Sequence, residues 1–172
     1  MTQSEVTKAS VIISSERASN GTYIDTCGPA ASSWLTAHAC VVEPIVLVAD
    51  DRSALTVAVA SAVTKGQHLV VISGGTGLGS KDFTPQLMDK LCDYPIPGIG
   101  ELLRRESLKY SLGAYLSRCG AWVKDGTLIL ALPGQPKALV DHLGILSDLL
   151  PHALRALRNA CDSRRSMLEA HA

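Results

Sequence analysis

The densest chemistry in the chain lies in ten consecutive residues, Ser73-Gly74-Gly75-Thr76-Gly77-Leu78-Gly79-Ser80-Lys81-Asp82. The glycines let a backbone turn tightly and bring several N–H groups to one anion, so the run reads as a phosphate cradle. It is not a Walker A loop, because Ser80 separates Gly79 from Lys81, and it lacks the G-x-G-x-x-G spacing of a dinucleotide fold. Lys81 can neutralise phosphate charge. Asp82 has two readings: a cap on the helix that follows, or a carboxylate that holds Mg²⁺ at a phosphate.

Asp50 and Asp51 present the same choice between a helix cap and a metal site. Together with Asp82 they offer carboxylates from two loops, the minimum for placing Mg²⁺ on a nucleoside triphosphate. A second anion site is expected where Pro133-Gly134-Gln135-Pro136-Lys137 leads into a helix N-terminus. The histidines show no metal-ligand spacing and are expected to be structural or exposed. Cys27, Cys40, Cys92, Cys119 and Cys161 form no C-x-x-C pair, which argues against a zinc site or a disulfide framework. They read as small buried hydrophobes, with Cys27 set apart by its nearness to the loop at residues 15–25.

The elements that must position these residues alternate between strand and helix. Ser10 to Ser14 reads as a buried strand, Ala18 to Gly21 as loop, and Gly28-Pro29 as the opening of a helix through Trp34 and Leu35. Ile45 to Val48 is a second strand, followed by a helix that Ser53 can cap and Gly66 can end. His68 to Ile72 is a third strand, feeding the glycine loop, and Thr84-Pro85 starts another helix. Tyr94 to Gly100 is expected to be a stiff connection, followed by helix from Glu101 to Ser107. Asp125-Gly126, between Ala121–Lys124 and Thr127–Leu132, signals a hairpin. A last amphipathic region starts near Lys137 and is expected to break near Pro151. The fold class that follows is three-layer α/β/α, with a mostly parallel sheet and one antiparallel hairpin. In such sheets ligands sit beyond the carboxyl ends of the strands.

With 172 residues the chain suits one domain, read as residues 10–160 between a flexible segment 1–9 and a frayed tail 161–172. Lys plus Arg and Asp plus Glu number 16 each, so there is no net basic field to attract nucleic acid. The apolar runs are far too short to span a membrane and no secretory signal is evident, which predicts a cytoplasmic protein. The cluster Arg155, Arg158, Arg164 and Arg165 reads as a solvated helix end.

Taken in order, Ser73-Gly-Gly-Thr-Gly77 with Lys81-Asp82-Phe83-Thr84-Pro85, Pro97-Gly98-Ile99-Gly100-Glu101, Leu116-Ser117-Arg118 and Leu132-Pro133-Gly134-Gln135-Pro136-Lys137 resemble the Mog/MoaB molybdopterin-binding family. The segment from Ser15 to Asp25 resembles the family's amino-terminal loop, and the likeness runs from about Val11 to Ala160. It implies a homotrimer that binds molybdopterin and, in the adenylyltransferase branch, uses ATP and Mg²⁺ to join AMP to the pterin's terminal phosphate. By the same resemblance Asp82 and Asp50 are the catalytic, Mg²⁺-holding positions, with Asp51 as the alternative to Asp50. Ser14, Ser15, Glu16, Ser73, Gly74, Gly75, Thr76, Gly77, Lys81, Glu101, Ser117, Arg118, Pro133, Gly134 and Lys137 would line the substrates. A molybdenum-insertion enzyme is an implied partner. Two positions depart from the family pattern, Glu16 for Asp and Lys81 for Arg; both keep charge, but Lys replaces a bidentate fork with a point charge. The competing readings are a noncatalytic pterin carrier and a molybdenum-insertion domain.

Overall fold

The computed structural model describes residues 6–169. Its centre is a seven-stranded sheet built from β1 (Thr7–Ser14), β2 (Cys40–Val42), β3 (Val46–Val48), β4 (Leu69–Ser73), β5 (Tyr94–Pro95), β6 (Gly120–Lys124) and β7 (Thr127–Leu132). The order is β2-β1-β4-β7-β6-β5, and β3 also pairs with β1. β2 meets the first half of β1 and β3 the second, so the pair acts as one broken edge strand. β1 to β4 and β4 to β7 are parallel, whereas β6 runs antiparallel to β7 and β5 to β6.

The strands are apolar on both faces because helices cover both. Val11, Ile13, Leu69, Val71, Leu128 and Leu130 pack on one side with α2 (Cys27–Ala37), α5 (Pro97–Ser107), α6 (Pro136–Ile145) and the start of α7 (Leu149–Glu169). Ile12, Val70, Ile72 and Ile129 pack on the other with α3 (Arg52–Thr64) and α4 (Thr84–Leu91). This is the expected three-layer arrangement. Asp125 (φ 49°) and Gly126 (φ 82°) both take positive φ, as a two-residue hairpin turn requires, and Gly66 (φ 71°) follows the end of α3.

Several local expectations change. β1 starts at Thr7, so residues 7–9 belong to the sheet rather than to a flexible segment; residues 1–5 and 170–172 lie outside the described residues. Glu16–Ser19, expected as loop beyond residue 17, winds into one helical turn, α1, because Ser15 Oγ accepts the Ala18 N–H. α5 begins at Pro97 within the expected connection, with proline at a position where the missing N–H costs nothing. α7 runs to Glu169, through the segment read as a frayed tail, and carries Pro151 in its first turn; the break between α6 and α7 therefore falls upstream of that proline. Arg158 anchors α7 to the sheet by donating to Thr7 Oγ1 at 2.7 Å.

Candidate functional site

β1, β3, β4 and β7 run parallel, so their carboxyl ends converge and deliver four loops to one place. Backbone contacts lock these loops together. Ser15 N–H donates to Val48 O (2.9 Å), Gly74 N–H to Leu132 O (3.1 Å), and Ser73 Oγ to Pro133 O (2.9 Å). Gly74 (φ +112°) lies so close to β1 that a Cβ there would collide with the Ser14 carbonyl oxygen, and a Cβ on Gly134 would touch Gly74.

The glycines of the loop serve two ends. Gly75 (φ +66°) makes a left-handed turn over Thr84, whose Oγ1 donates to Gly74 O (2.9 Å). Gly77 and Gly79 leave room for the carboxylate of Asp82: a Cβ on either would lie 2.8 or 2.9 Å from Asp82 Oδ2. That same oxygen accepts the Gly79 N–H at 2.8 Å. The cap reading of Asp82 is thereby replaced, since the N-cap position of α4 is Phe83, with no side-chain cap bond. The Gly74 N–H is used by the sheet, whereas the N–H groups of Gly75, Thr76 and Gly77 donate to no protein acceptor among the described residues; of these three, Gly75 alone reaches the polar cavity described below.

Asp50 and Asp51 separate cleanly. Asp51 is the N-cap of α3, accepting the Ala54 N–H at 2.8 Å, and so takes the role expected of Ser53. The helix starts at Arg52, which puts Asp51 rather than Ser53 in range of the third helical N–H. Asp50 turns the other way and accepts from Ser14 Oγ at 3.3 Å.

The loops enclose a polar cavity of about 280 Å³ whose walls include Ser14, Ser15, Glu16, Asp50, Ser73, Gly74, Gly75, Lys81, Asp82 and Gly134. Arg17, Tyr23, Asp25 and Cys27 join them. Cys27 stands apart in the sequence for its nearness to the loop from Ser15 to Asp25, whereas nothing in the sequence marks Arg17, Tyr23 or Asp25 as site residues beyond their place in that loop. Asp25 fixes the start of α2 by accepting the N–H groups of Cys27 (2.9 Å) and Gly28 (3.1 Å). Burial pushes the Cys27 thiol up, opposed by a hydrogen bond with Ser73, so it stands in the wall as a neutral thiol. Arg17 lies over the Tyr23 ring, 5.2 Å from its centre.

A second cavity, about 510 Å³ and largely apolar, lies between α5, a 3-10 turn (Leu112–Leu116) and α6. Pro133 lines it, while the next residue, Gly134, lines the polar cavity, so the turn after β7 stands between the two. Ser117 and Lys137 also face this apolar space. Lys137 is held by Asp141 (2.6 Å) on the same helix. Arg118, Thr76, Gly77 and Glu101 line neither cavity. The Arg118 guanidinium donates to Gly77 O (2.8 Å) and to Asp82 O, and its N–H to Thr76 O, so it braces the glycine loop from behind. Thr76 is buried and Glu101 exposed.

Residues 9–152 match the family described as "probable molybdopterin binding domain". The chain is 36% identical over 149 residues to a molybdopterin adenylyltransferase of Helicobacter pylori, covering 84% of each protein. It is 38% identical over 152 residues to a molybdenum cofactor biosynthesis bifunctional protein of Synechococcus elongatus, covering 88% of this chain and 48% of that one; the chain thus spans about half the length of that relative. Among solved structures, the molybdopterin biosynthesis Mog protein of Mycobacterium ulcerans superposes with a TM-score of 0.82 at 36% identity, covering 88% of this chain and 99% of that one. These likenesses place the fold and its strand-end site among the domains of cofactor assembly. The chain belongs to the molybdopterin-binding family of molybdenum cofactor biosynthesis.

Proposed function

We propose that the chain is a molybdopterin adenylyltransferase, which joins AMP from ATP to the terminal phosphate of molybdopterin and releases pyrophosphate. The observation that carries this is the pairing of a polar, glycine-lined cavity with an apolar one across the turn at Pro133-Gly134. A substrate pair with charged phosphates and a heteroaromatic ring needs both environments side by side. The phosphates belong in the polar cavity and the pterin ring in the apolar one.

The polar cavity's charge states what else is required. Glu16, Asp25, Asp50 and Asp82 face only Arg17 and Lys81 there, so a triphosphate enters against a negative excess unless it brings a cation. Among the described residues no group of three His, Cys, Asp or Glu side chains could cage a metal. Two carboxylates completed by substrate phosphate oxygens are what Mg²⁺ prefers, and Asp50 and Asp82 each keep one oxygen free of the bonds described above. When bound there, Mg²⁺ supplies neutralisation of the charge that builds on the leaving pyrophosphate.

The residues do the positioning. The molybdopterin phosphate is already an anionic nucleophile, so no general base is needed. Its oxygen attacks the α-phosphorus of ATP, a new P–O bond forms, and the bond to pyrophosphate breaks. The free Gly75 N–H and the Lys81 ammonium, both in the wall of the polar cavity, hold the phosphates in line. Purified protein given ATP, Mg²⁺ and molybdopterin should release pyrophosphate, and none when molybdopterin is left out. Tight molybdopterin binding without pyrophosphate would replace this reading with that of a noncatalytic carrier.

The same reading includes a cytoplasmic homotrimer that hands its product to a molybdenum-insertion enzyme. Val46, Leu47 and Val57, left exposed along the β3–α3 edge, supply apolar surface for self-association. No helix among the described residues is long and apolar enough to cross a membrane. Light scattering at the 18.2 kDa monomer mass would refute the trimer.

A further inference from the structure

The apolar cavity carries a two-residue polar device in its wall. Ser107, the last residue of α5, and His142 of α6 both line the space, with Ser107 Oγ 3.0 Å from His142 Nε2. His142 is 6% exposed, and its other ring nitrogen, Nδ1, is buried without a hydrogen-bond partner. Burial also holds its pKa below the usual value, so the ring is neutral at physiological pH and carries one proton.

Where that proton sits decides the direction of the bond. If Ser107 donated to Nε2, the proton would be on Nδ1, leaving a buried N–H with no acceptor, which native proteins almost never tolerate. A bare acceptor nitrogen is the easier atom to leave unpaired, and the Nε2–H tautomer is also the more stable form of a free imidazole. His142 therefore donates and Ser107 Oγ accepts. The serine's own proton is then left over, since its side chain makes no other hydrogen bond among the described residues.

The neighbouring polar groups are differently placed. Arg104 is anchored through Nη1, which donates to the carbonyls of Ser117 and Cys119, and Lys137 is paired with Asp141. Ser111 accepts the backbone N–H of Gly113, and Ser117 meets both the backbone N–H and the thiol of Cys119, whereas a buried imidazole orients Ser107.

We infer that Ser107, held by His142, is a specificity-determining donor whose hydroxyl reads the carbonyl oxygen on the pyrimidinone edge of the pterin. His142 is a positioning residue that acts through Ser107. This rests on the reading that the apolar cavity receives the pterin ring.

The test uses the full chain and a fluorescent oxidised pterin carrying a 6-alkyl phosphate, with its 2,4-diamino analogue, in which an amino donor replaces the carbonyl, as the second probe. Wild type should bind the carbonyl form about tenfold more tightly than the diamino form, the scale of one hydrogen bond. Ser107→Ala should lose that preference while its KM for ATP stays unchanged. His142→Ala should lose most of it and His142→Gln, which can still donate, should keep it. The Ser107→Ala/His142→Ala double variant should be no worse than Ser107→Ala alone. An unchanged preference in Ser107→Ala overturns the inference. Ala138→Trp, which fills the cavity, should abolish binding of both probes. If it binds them normally, the ring lies elsewhere and the assignment of the cavity fails, whatever the serine variants do.

Discussion

Gly77→Ala separates the chemistry of the glycine loop from its folding. Gly77 has an ordinary negative-side backbone, so a methyl group introduces no φ strain. Its only close neighbour would be Asp82, with Oδ2 at 2.8 Å and Cγ at 3.2 Å. The carboxylate must retreat by roughly half an ångström to reach normal contact, and it gives up its bond to the Gly79 N–H. Asp82 is only partly buried, so water replaces much of that bond; the net loss is ~1 kcal/mol, offset by about 0.4–1 kcal/mol from a less flexible unfolded chain. The melting temperature should stay within about 4 °C of wild type. A catalytic group displaced by this much should lower kcat about 10- to 100-fold. Gly75→Ala is the contrast. There the new Cβ meets Thr84 Oγ1 at a left-handed backbone, with roughly 1–2 kcal/mol of strain and about 1 kcal/mol more from the broken Thr84–Gly74 bond. That should lower the melting temperature by roughly 5–10 °C. Differential scanning fluorimetry and pyrophosphate release, read on both variants, decide the matter. Wild-type kcat in Gly77→Ala, or equal destabilisation of the two variants, would refute the claim that this glycine exists to seat the Asp82 carboxylate.

Asp82→Asn keeps an acceptor for the Gly79 N–H but removes charge, so it should fold normally and lose Mg²⁺-dependent turnover; unchanged Mg²⁺ dependence would show Asp82 to be structural only. Asp51→Ala should do the reverse, losing ~1 kcal/mol from the α3 cap in a denaturant titration while kcat stays near wild type. His142 has a lowered folded pKa, so the unfolded chain takes up the proton first as pH falls below about 6.5. Its contribution to stability is complete above that pH and declines toward the folded pKa, with a slope no steeper than about 1.4 kcal/mol per pH unit. His142→Gln should flatten that part of the stability–pH curve, and an unaltered curve would show that the acid sensitivity lies elsewhere.

The parts of this fold that were legible in the sequence are those set by local rules. The runs ending at Ser14, Ser73 and Leu132 are apolar without alternation, as strands buried on both faces must be, and Asp125-Gly126 can hardly be other than a tight hairpin turn. β2 escaped notice because three residues on a sheet edge carry no periodicity, and β5 because Tyr94-Pro95 looks like a break. Two adjacent aspartates are chemically identical in sequence; only the first turn of α3 decides that Asp51 faces a helix N–H and leaves Asp50 to face Ser14. The same limit applies more strongly to cations.

Lys81, Arg118 and Lys137 each stand in a motif that suggests anion binding, yet a long side chain takes whichever acceptor the fold brings within reach. Arg118 finds the carbonyls of Gly77 and Asp82 and becomes part of the loop's scaffold. Lys137 finds Asp141 one helical turn along and sits at the apolar cavity. Lys81 alone of the three remains in the wall of the polar cavity. The apolar cavity itself has no signature in the chain, because α5 and α6 contribute a few residues each and the 3-10 turn and the turn after β7 one each, and all of them locally look like ordinary helix surface or rim. A phosphate cradle is written into one loop, where spacing can reveal it; a ring pocket is written across four segments, and only the packing of α5 against α6 assembles it.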